Sequence, residues 1–447
     1  GTTFRVNGSM WLDEGQLHLF GQDTNAVVWS VGGDLVATND AWLYIYAANT
    51  NDATADYGAL VAAGSNLVIG GGTLSSWVYP LSDPTNGGAP LLRARNLSIL
   101  ATNGGIDAFG LGYQSGTNRG NGWGPGGGMF SGIYGGGGGH GGKGGTASGS
   151  QGGSSYGDSN APVNSGSGGG GSDVSSTVRG GVGGGVARME ITRTVTVNGR
   201  IRMDGRAATD WRAAGGAGGS VYVRCRTFVT SNAWVSAEGG EAKANGGSGG
   251  GGGGGGRVAI WRSFDQTNNG HTVTARGATN NVYDANGIGT NGTVVWGWLP
   301  AVPLVDNAGG ATGVTCVSSW LNGMVTSTGT AATAVSVFWG TSDASTNRAA
   351  WGHTNDFPGT WAEGVPLSTN VVGLSSKTTY YYRFYGTNSE GEAWTESAAA
   401  FTTPPGIPVI SNAVQGATNI TLTSAWLNGD LTSTGTAATA AWVMWGP

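Results

Sequence analysis

The stretch from Val186 to Gly277 repeats itself three times without being low-complexity, and no other feature limits the fold as much. GGGVARMEITRTVTVNGRIRMDGR is followed by GGSVYVRCRTFVTSNAWVSAEGG. Ala187, Met189, Val195, Ile201 and Met203 then fall on Val221, Val223, Val229, Val235 and Ala237 at a single offset of 34 residues, with no gap. A third copy, GRVAIWRSFDQTNNGHTVTARG, puts Val258, Ile260, Val273 and Ala275 on the same columns, with 38 residues from Ala237 to Ala275, and a glycine run precedes each copy. A unit that cannot bury its own apolar face, repeated in tandem, is the mark of a solenoid. Val221, Val223 and then Val235, Ala237 alternate with a period of two, so the units are strands. Stacked in parallel, each column of Val, Ile and Met becomes a continuous core, and the expected fold is a parallel β-helix of either hand.

The same architecture is expected over 1–300. From Gly1 to about Gly110 the pattern predicts strands at Gln16 to Phe20, Val27 to Ser30, Trp42 to Tyr46, Leu67 to Ile69, Trp77 to Tyr79 and Leu91 to Leu100, with NTNDATADYG and SDPTNGG as turns. NLSILATNGGIDAFG resembles the later repeat, with Ile106 and Ala108 where Ile201 and Met203 fall. From about 112 to 185 the repeat is interrupted by a glycine-rich insertion, GPGGGMFSGIYGGGGGHGGKGG and more of the same. Each ordered glycine costs about 0.5 to 1 kcal/mol relative to alanine, so such a segment either stays mobile or is held by neighbours. Because the later glycine runs recur at one phase of the repeat, we expect packing: extended, polyproline-II-like chains side by side, where missing side chains permit close approach.

Composition excludes several classes. Glycine supplies 89 of 447 residues without a G-X-Y period, which excludes collagen, and 18 Trp among many Val and Thr exclude a mostly disordered chain. Charged residues are only 11% and the net charge is −5, which argues against a nucleic-acid footprint. No apolar run approaches the roughly 18 residues of a membrane span. Gly1 opens no signal peptide, so the expectation is a leader already removed or an internal piece of a longer chain. Low charge and abundant Asn, Thr, Ser and Gly point to an extracellular or cell-surface protein. Asn7, Asn96, Asn291 and Asn419 stand in Asn-x-Ser/Thr sites, as chance alone would supply. Cys225 and Cys316 lie in different expected domains and read as two small hydrophobes.

After Pro300 the composition changes. In the 301–404 segment, Leu374, Thr378 and Tyr380, then Asn388 and Gly391, then FTT before a proline pair, resemble the sixth and last strands of a fibronectin type III domain, with Ser376 where that family has proline. The resemblance implies an immunoglobulin-like β-sandwich. Tyr380, Tyr382 and Phe384 should face inward, and Tyr381, Arg383 and Tyr385 outward. LNGDLTSTGTAATA at 427–440 repeats LNGMVTSTGTAATA at 321–334, and Trp426 and Trp445 match Trp320 and Trp339, so 405–447 is expected to be the first part of a second such domain. Half a sandwich exposes apolar surface and strand edges. The expectation is that the chain continues, or that another subunit completes the domain, with Trp426, Leu427, Trp442 and Trp445 as assembly residues. A glycine-rich β-helix followed by tandem fibronectin-like domains is similar to very large secreted or cell-surface proteins of bacteria, which implies a structural or adhesive role and no catalytic residues.

Candidate chemistry is sparse. Asp204 and Glu238 share a column one rung apart, close enough for acid and base roles, and with Trp211 nearby they form the alternative site for a polysaccharide-binding or polysaccharide-degrading protein. The blander reading is a solvated ladder with Glu238 facing Arg276. GGGHGGK at 137–143 lacks the Ser or Thr of a phosphate loop, and His18, His140, His271 and His353 have no metal spacing. Trp123, Trp211, Trp351 and Trp361 sit in polar or Gly-rich stretches where a ring could stack on sugars, although a Trp capping a fold is more common. The sequence therefore reads as a non-enzymatic structural or adhesive protein without cofactor or metal, self-associating into a fibre, filament or layer.

Overall fold

The computed structural model describes residues 3–21, 27–47, 57–70, 76–100, 102, 104–173, 179–245, 248–267, 271–279 and 287–447, and no α-helix occurs among them. The chain divides into two compact units, Gly1–Leu299 and Pro300–Pro447.

In the first unit every strand pairing outside two short hairpins is parallel, and the strands form three rows. The first row runs Thr3–Val6, Val27–Val31, Ala59–Ala63, Pro90–Ala94, Val186–Ile191, Ser220–Arg224, Arg257–Arg262 and Thr293–Trp298. A second row contains Asn66–Ile69, Asn96–Ile99, Thr194–Val197, Thr227–Thr230 and Phe264–Thr267. The third contains Trp77–Leu81, Gly105–Asp107, Arg200–Arg202, Trp234–Ser236 and Thr272–Thr274. Met10–Phe20 and Leu35–Tyr46 each serve the second row with their first half and the third with their second half, which makes those rows one sheet. Both turn the corner on residues with left-handed φ, Glu14 and Gly15 in one, Asn39 and Asp40 in the other. The rows enclose one core, with Val61, Leu67 and Val78 buried together, one from each.

Register confirms most of the repeat and corrects part of it. Ala187 pairs with Val221, which pairs in turn with Val258; Ile201 pairs with Val235, and Ile106 with Ile201. Val195, however, pairs with Phe228 and not Val229. The corner between the first and second rows is one residue shorter in the second copy and the next corner one longer, so Phe228 is fully buried while Val229 is half-buried. Leu91 to Leu100 is two strands, Pro90–Ala94 and Asn96–Ile99, because the chain changes row at Arg95. Ala59–Ala63 is a further strand not read from the sequence. The SDPTNGG turn is present, with the Asp83 carboxylate accepting from the Thr85 and Asn86 amides. The expected turn at NTNDATADYG lies largely outside the described residues.

The glycine runs pack, and they do so at one corner: each leaves the end of the third row and re-enters the start of the first. A polyproline-II chain has three residues per turn, so successive residues face three directions. The bonding follows that period. Gly135 and Gly138 donate to Arg212 and Gly215, Gly136 and Gly139 to Met129 and Gly126, and Gly137 to Gly145. Gly215 and Gly218 donate in turn to Gly251 and Gly254, and those two donate back to Gly135 and Gly138, closing a triangle of three parallel chains. A Cβ on Gly137 would overlap the Gly252 carbonyl oxygen, and one on Gly253 the Gly216 oxygen. The insertion is therefore held by backbone hydrogen bonds, each worth about 1 kcal/mol net, in chains that leave no room for a side chain at these glycines.

One imidazole is sealed in this block. His140 is fully buried, with Nδ1 2.9 Å from the Gly218 carbonyl oxygen and Nε2 without a hydrogen-bond partner. Burial lowers its pKa to about 4, with Arg257 adding to the effect.

In the second unit, Leu304–Asp306, Ser318–Ser327 and Pro366–Val372 form one antiparallel sheet. Thr333–Gly340, His353–Trp361, Thr379–Asn388, Gly391–Trp394 and Ala399–Thr402 form another. Leu321, Val325, Val337, Tyr382 and Phe384 are buried between them. Tyr380, Tyr382 and Phe384 do face this core, and the Tyr380 hydroxyl accepts from the Ser375 amide at 3.0 Å. The opposite face is not left to solvent. The segment 341–352 folds over it, placing Trp351 beside Phe338 and Tyr385 and pairing Asp343 with Arg383 at 2.9 and 2.8 Å. Val409–Thr418 and Trp426–Ser433 pair as a two-stranded antiparallel sheet.

Two outcomes are expected. Gly137→Ala should destabilise the first unit by about 3 kcal/mol or more, whereas Gly8→Ala, whose Cβ would meet nothing within 4 Å, should stay within about 0.5 kcal/mol; denaturant midpoints compare them. For His140 the unfolded chain binds a proton that the folded chain refuses between pH 6.5 and about 4. Its contribution is thus complete above pH 6.5 and falls by about 3 kcal/mol as pH drops through that window. A His140→Gln variant should lack this acid-side loss in a pH series of unfolding curves.

Candidate functional site

The third row presents alternate side chains to the outside, and strand pairing arranges them in columns. Gln16, Trp42 and Trp77 are neighbours in one column, His18, Tyr44 and Tyr79 in the next, and Phe20, Tyr46 and Leu81 in a third. None of these nine side chains is an acid, a lysine or an arginine. Rings in register stack: His18 on Tyr44 at 4.5 Å and 10°, Tyr44 on Tyr79 at 4.8 Å and 15°, Phe20 on Tyr46 at 4.4 Å and 14°. Those separations are the spacing of adjacent strands, so the ladder follows from parallel pairing of alternating aromatic strands. Phe20 is 59% exposed and the rings behind it are half-buried. Burial pushes the Tyr79 hydroxyl up to about 12, with Tyr44 adding to it.

The face changes character at Gly105–Asp107. Asp107 pairs with Arg202 on the next strand, Nε to Oδ1 at 3.2 Å, and Arg202 lies 4.5 Å from the Phe109 ring centroid. Arg200 lies against Trp234 one rung further.

Asp204 and Glu238 follow on the same face, and neither is arranged as the sequence suggests. Asp204 is not a solvated turn residue. One carboxylate oxygen accepts from the Glu238 amide at 2.7 Å and the other from the Ser236 hydroxyl at 3.0 Å, and burial pushes its pKa up to about 6. Among the described residues no ion pair joins Glu238 to Arg276; the two rungs are tied there by Gly239 N donating to the Arg276 carbonyl oxygen. Trp211 lies against the Arg212 guanidinium, 4.0 Å from ring centroid to Cζ, and no hydrogen bond or ring contact links it to either carboxylate. Of the other tryptophans weighed as sugar platforms, Trp351 is buried and Trp361 packs against the sandwich core, which leaves Trp123 exposed. The aromatic columns were legible as HLF, WLYIY and WVY, in which aromatic or imidazole rings occupy every second position, but only the row assignment places them together.

Gly137 to Lys143 is part of the glycine lattice, Cys225 and Cys316 are free, and no group of three or more metal-ligating side chains occurs among the described residues. Trp426, Leu427, Trp442 and Trp445 are all exposed, whereas Leu321, the counterpart of Leu427, is fully buried.

No family model and no curated protein matches this chain. Among solved structures it is similar to the sensor domain of the anti-sigma factor RsgI4 of Pseudobacteroides cellulosolvens, at 14% identity over 24% of this chain and 96% of that one, with a TM-score of 0.17. A likeness that low carries no argument. What stands is an all-β protein of parallel rows and sandwich-like antiparallel sheets, with no helix among the described residues long and apolar enough to cross a membrane.

Replacing Asp204 by Asn should leave the first unit as stable or up to about 2 kcal/mol more stable at pH 7.5. The folded chain holds this proton more tightly than the unfolded chain between pH 3.8 and about 6, so raising pH through that window costs the wild type stability that the variant keeps. Thermal melts from pH 4 to 8 compare the two.

Proposed function

We propose that this chain is a non-enzymatic extracellular protein with a structural or adhesive role. In this reading 1–300 is a parallel β-helix braced along one corner by its glycine lattice, and 301–404 and 405–447 are a fibronectin type III-like domain and the first part of another. The observation that carries it is the lattice itself. Its glycines place no side chain on any surface and serve only to hold backbone against backbone, as a stiff element requires and a catalytic one does not. A rigid solenoid joined to sandwich domains suits a segment of a cell-surface fibre, filament or layer assembled through β-strand contacts. The exposed Trp426, Leu427, Trp442 and Trp445 are the residues that such contacts would bury.

The alternative, a β-helix that degrades polysaccharide, places its chemistry at Asp204 and Glu238. It is disfavoured because both Asp204 oxygens are already bonded within the fold, while a general acid must reach a substrate.

Electron microscopy and sedimentation of the full chain test the structural reading. Regular filaments or lattices that are lost in Trp442→Asp and Trp445→Asp are expected. A monomer at every concentration, together with reducing-end release from a polysaccharide that Asp204→Asn abolishes, would overturn it.

A further inference from the structure

We propose that the uncharged aromatic face of the third row is a binding site for a neutral, β-linked polysaccharide chain lying along the row, across the strands. This supplies a ligand for the adhesive side of the function proposed above and does not depend on assembly.

Ring stacking between rungs accounts for the His18, Tyr44 and Tyr79 column as a stabilising ladder. It does not account for Trp42 and Trp77. These two are in register on adjacent strands, yet no ring contact joins them; Trp42 meets Tyr79 edge-on at 77° and donates from Nε1 to the Asp40 carboxylate at 3.0 Å, and Trp77 lies 6.5 Å from Tyr79 at 30°. Neither indole is part of the close stacks of the ladder, and among the described residues no strand packs over them. An outward apolar patch three strands wide on an otherwise polar sheet marks a binding surface more often than a structural one.

The chemistry of the patch selects the ligand. Pyranose rings carry apolar C–H faces that lie on aromatic rings, and hydroxyls that reach polar tips at the rim. Here the Tyr44 and Tyr79 hydroxyls belong to the middle column, and the Tyr46 hydroxyl and the Gln16 amide oxygen lie 3.1 and 3.4 Å from the two His18 ring nitrogens. Strands repeat about every 4.8 Å along the row, close to the advance per sugar of an extended β-linked hexose chain, so consecutive sugars meet consecutive rungs. The nine positions contain no lysine or arginine to bind a polyanion. The arginines begin only beyond Gly105, where Asp107 neutralises Arg202. Stacking and parallel pairing hold the rings in place before any ligand arrives, which lowers the ordering cost of binding.

The test uses the full chain with microcrystalline cellulose and chitin powder as β-linked probes, starch granules as the α-linked comparison, and sedimentation without polysaccharide to reveal self-assembly. The wild type should be depleted by at least one β-linked polymer and not by starch. Trp42→Ala and Trp77→Ala should each weaken uptake roughly tenfold or more, Trp77→Phe should recover most of it, and Trp123→Ala should bind as the wild type does. Circular dichroism melts report folding; if either Trp variant melts early, Phe20→Ala, at an exposed ring, reads the same loss. Wild type left in the supernatant by both polymers, or undiminished binding by the folded variants, overturns the proposal. Assembly without uptake defeats this inference alone, and uptake without assembly defeats the filament reading alone.

Discussion

The first unit depends on how closely backbones approach at the corner between its third and first rows. Where three chains run in parallel and exchange hydrogen bonds in a closed triangle, as Gly135–Gly138, Arg212–Gly218 and Gly251–Gly254 do, a methyl group has no room at Gly137, Gly215 or Gly253, although Ala213, Ala214 and Ala217 are accommodated at other positions. The interior of each rung is filled by side chains, and the corner is filled by main chain. These are two different ways of excluding water. The first relies on apolar area, the second on satisfied amides and carbonyls in chains packed backbone to backbone. A rung can therefore vary its corner length, from the long excursion at 108–185 to the short one at 204–219, provided glycine stands at the positions whose Cβ would meet a neighbouring carbonyl.

The apolar columns end by a different device. The column that holds Val195 and Phe228 continues to Asp265 on the last strand of the second row. Arg262 pairs with Asp265 through Nε and Nη2, donates from Nη1 to the Gly297 carbonyl oxygen at 3.0 Å, and lies 4.8 and 4.1 Å from the Trp296 and Trp298 rings. Trp296 also meets Phe228 edge-on at 5.8 Å. An ion pair with its donors engaged and aromatic faces around it closes the column where no further strand of that row is described. A bare Phe228 would leave it open.

How much of this was legible follows from the same physics. Columns of Val, Ile and Met with a period of two could be read because burial demands them, and Ile106, Ile201 and Val235 are in register as the offset implies. The Val195 to Phe228 step was misread because two corners changed length by compensating single residues, which conserves the overall offset and hides the slip. The glycine lattice was legible in phase and not in partners, since a chain without side chains carries no pattern to say which neighbour it meets. The candidate face was least legible. Phe20, Tyr46 and Trp77 are far apart in sequence, and each strand alone looks like an ordinary alternating one.

Burial is the largest cause of the displaced pKa values of His140 and Asp204. His140 is held neutral inside the lattice and Asp204 is held partly protonated beneath its hydrogen bonds. Between about pH 4 and 6 the first makes the fold more stable as pH rises and the second makes it less stable, so their slopes oppose and largely cancel. A catalytic pair would instead have displaced pKa values at groups open to a common substrate. Here one is sealed in the glycine lattice and the other is bonded by Ser236 and Glu238 of the next rung, while the aromatic face presents stacked rings, with the Asp40 carboxylate accepting from Trp42 Nε1 at one edge. The glycine corner and the aromatic face are the two features on which the proposed structural or adhesive role rests.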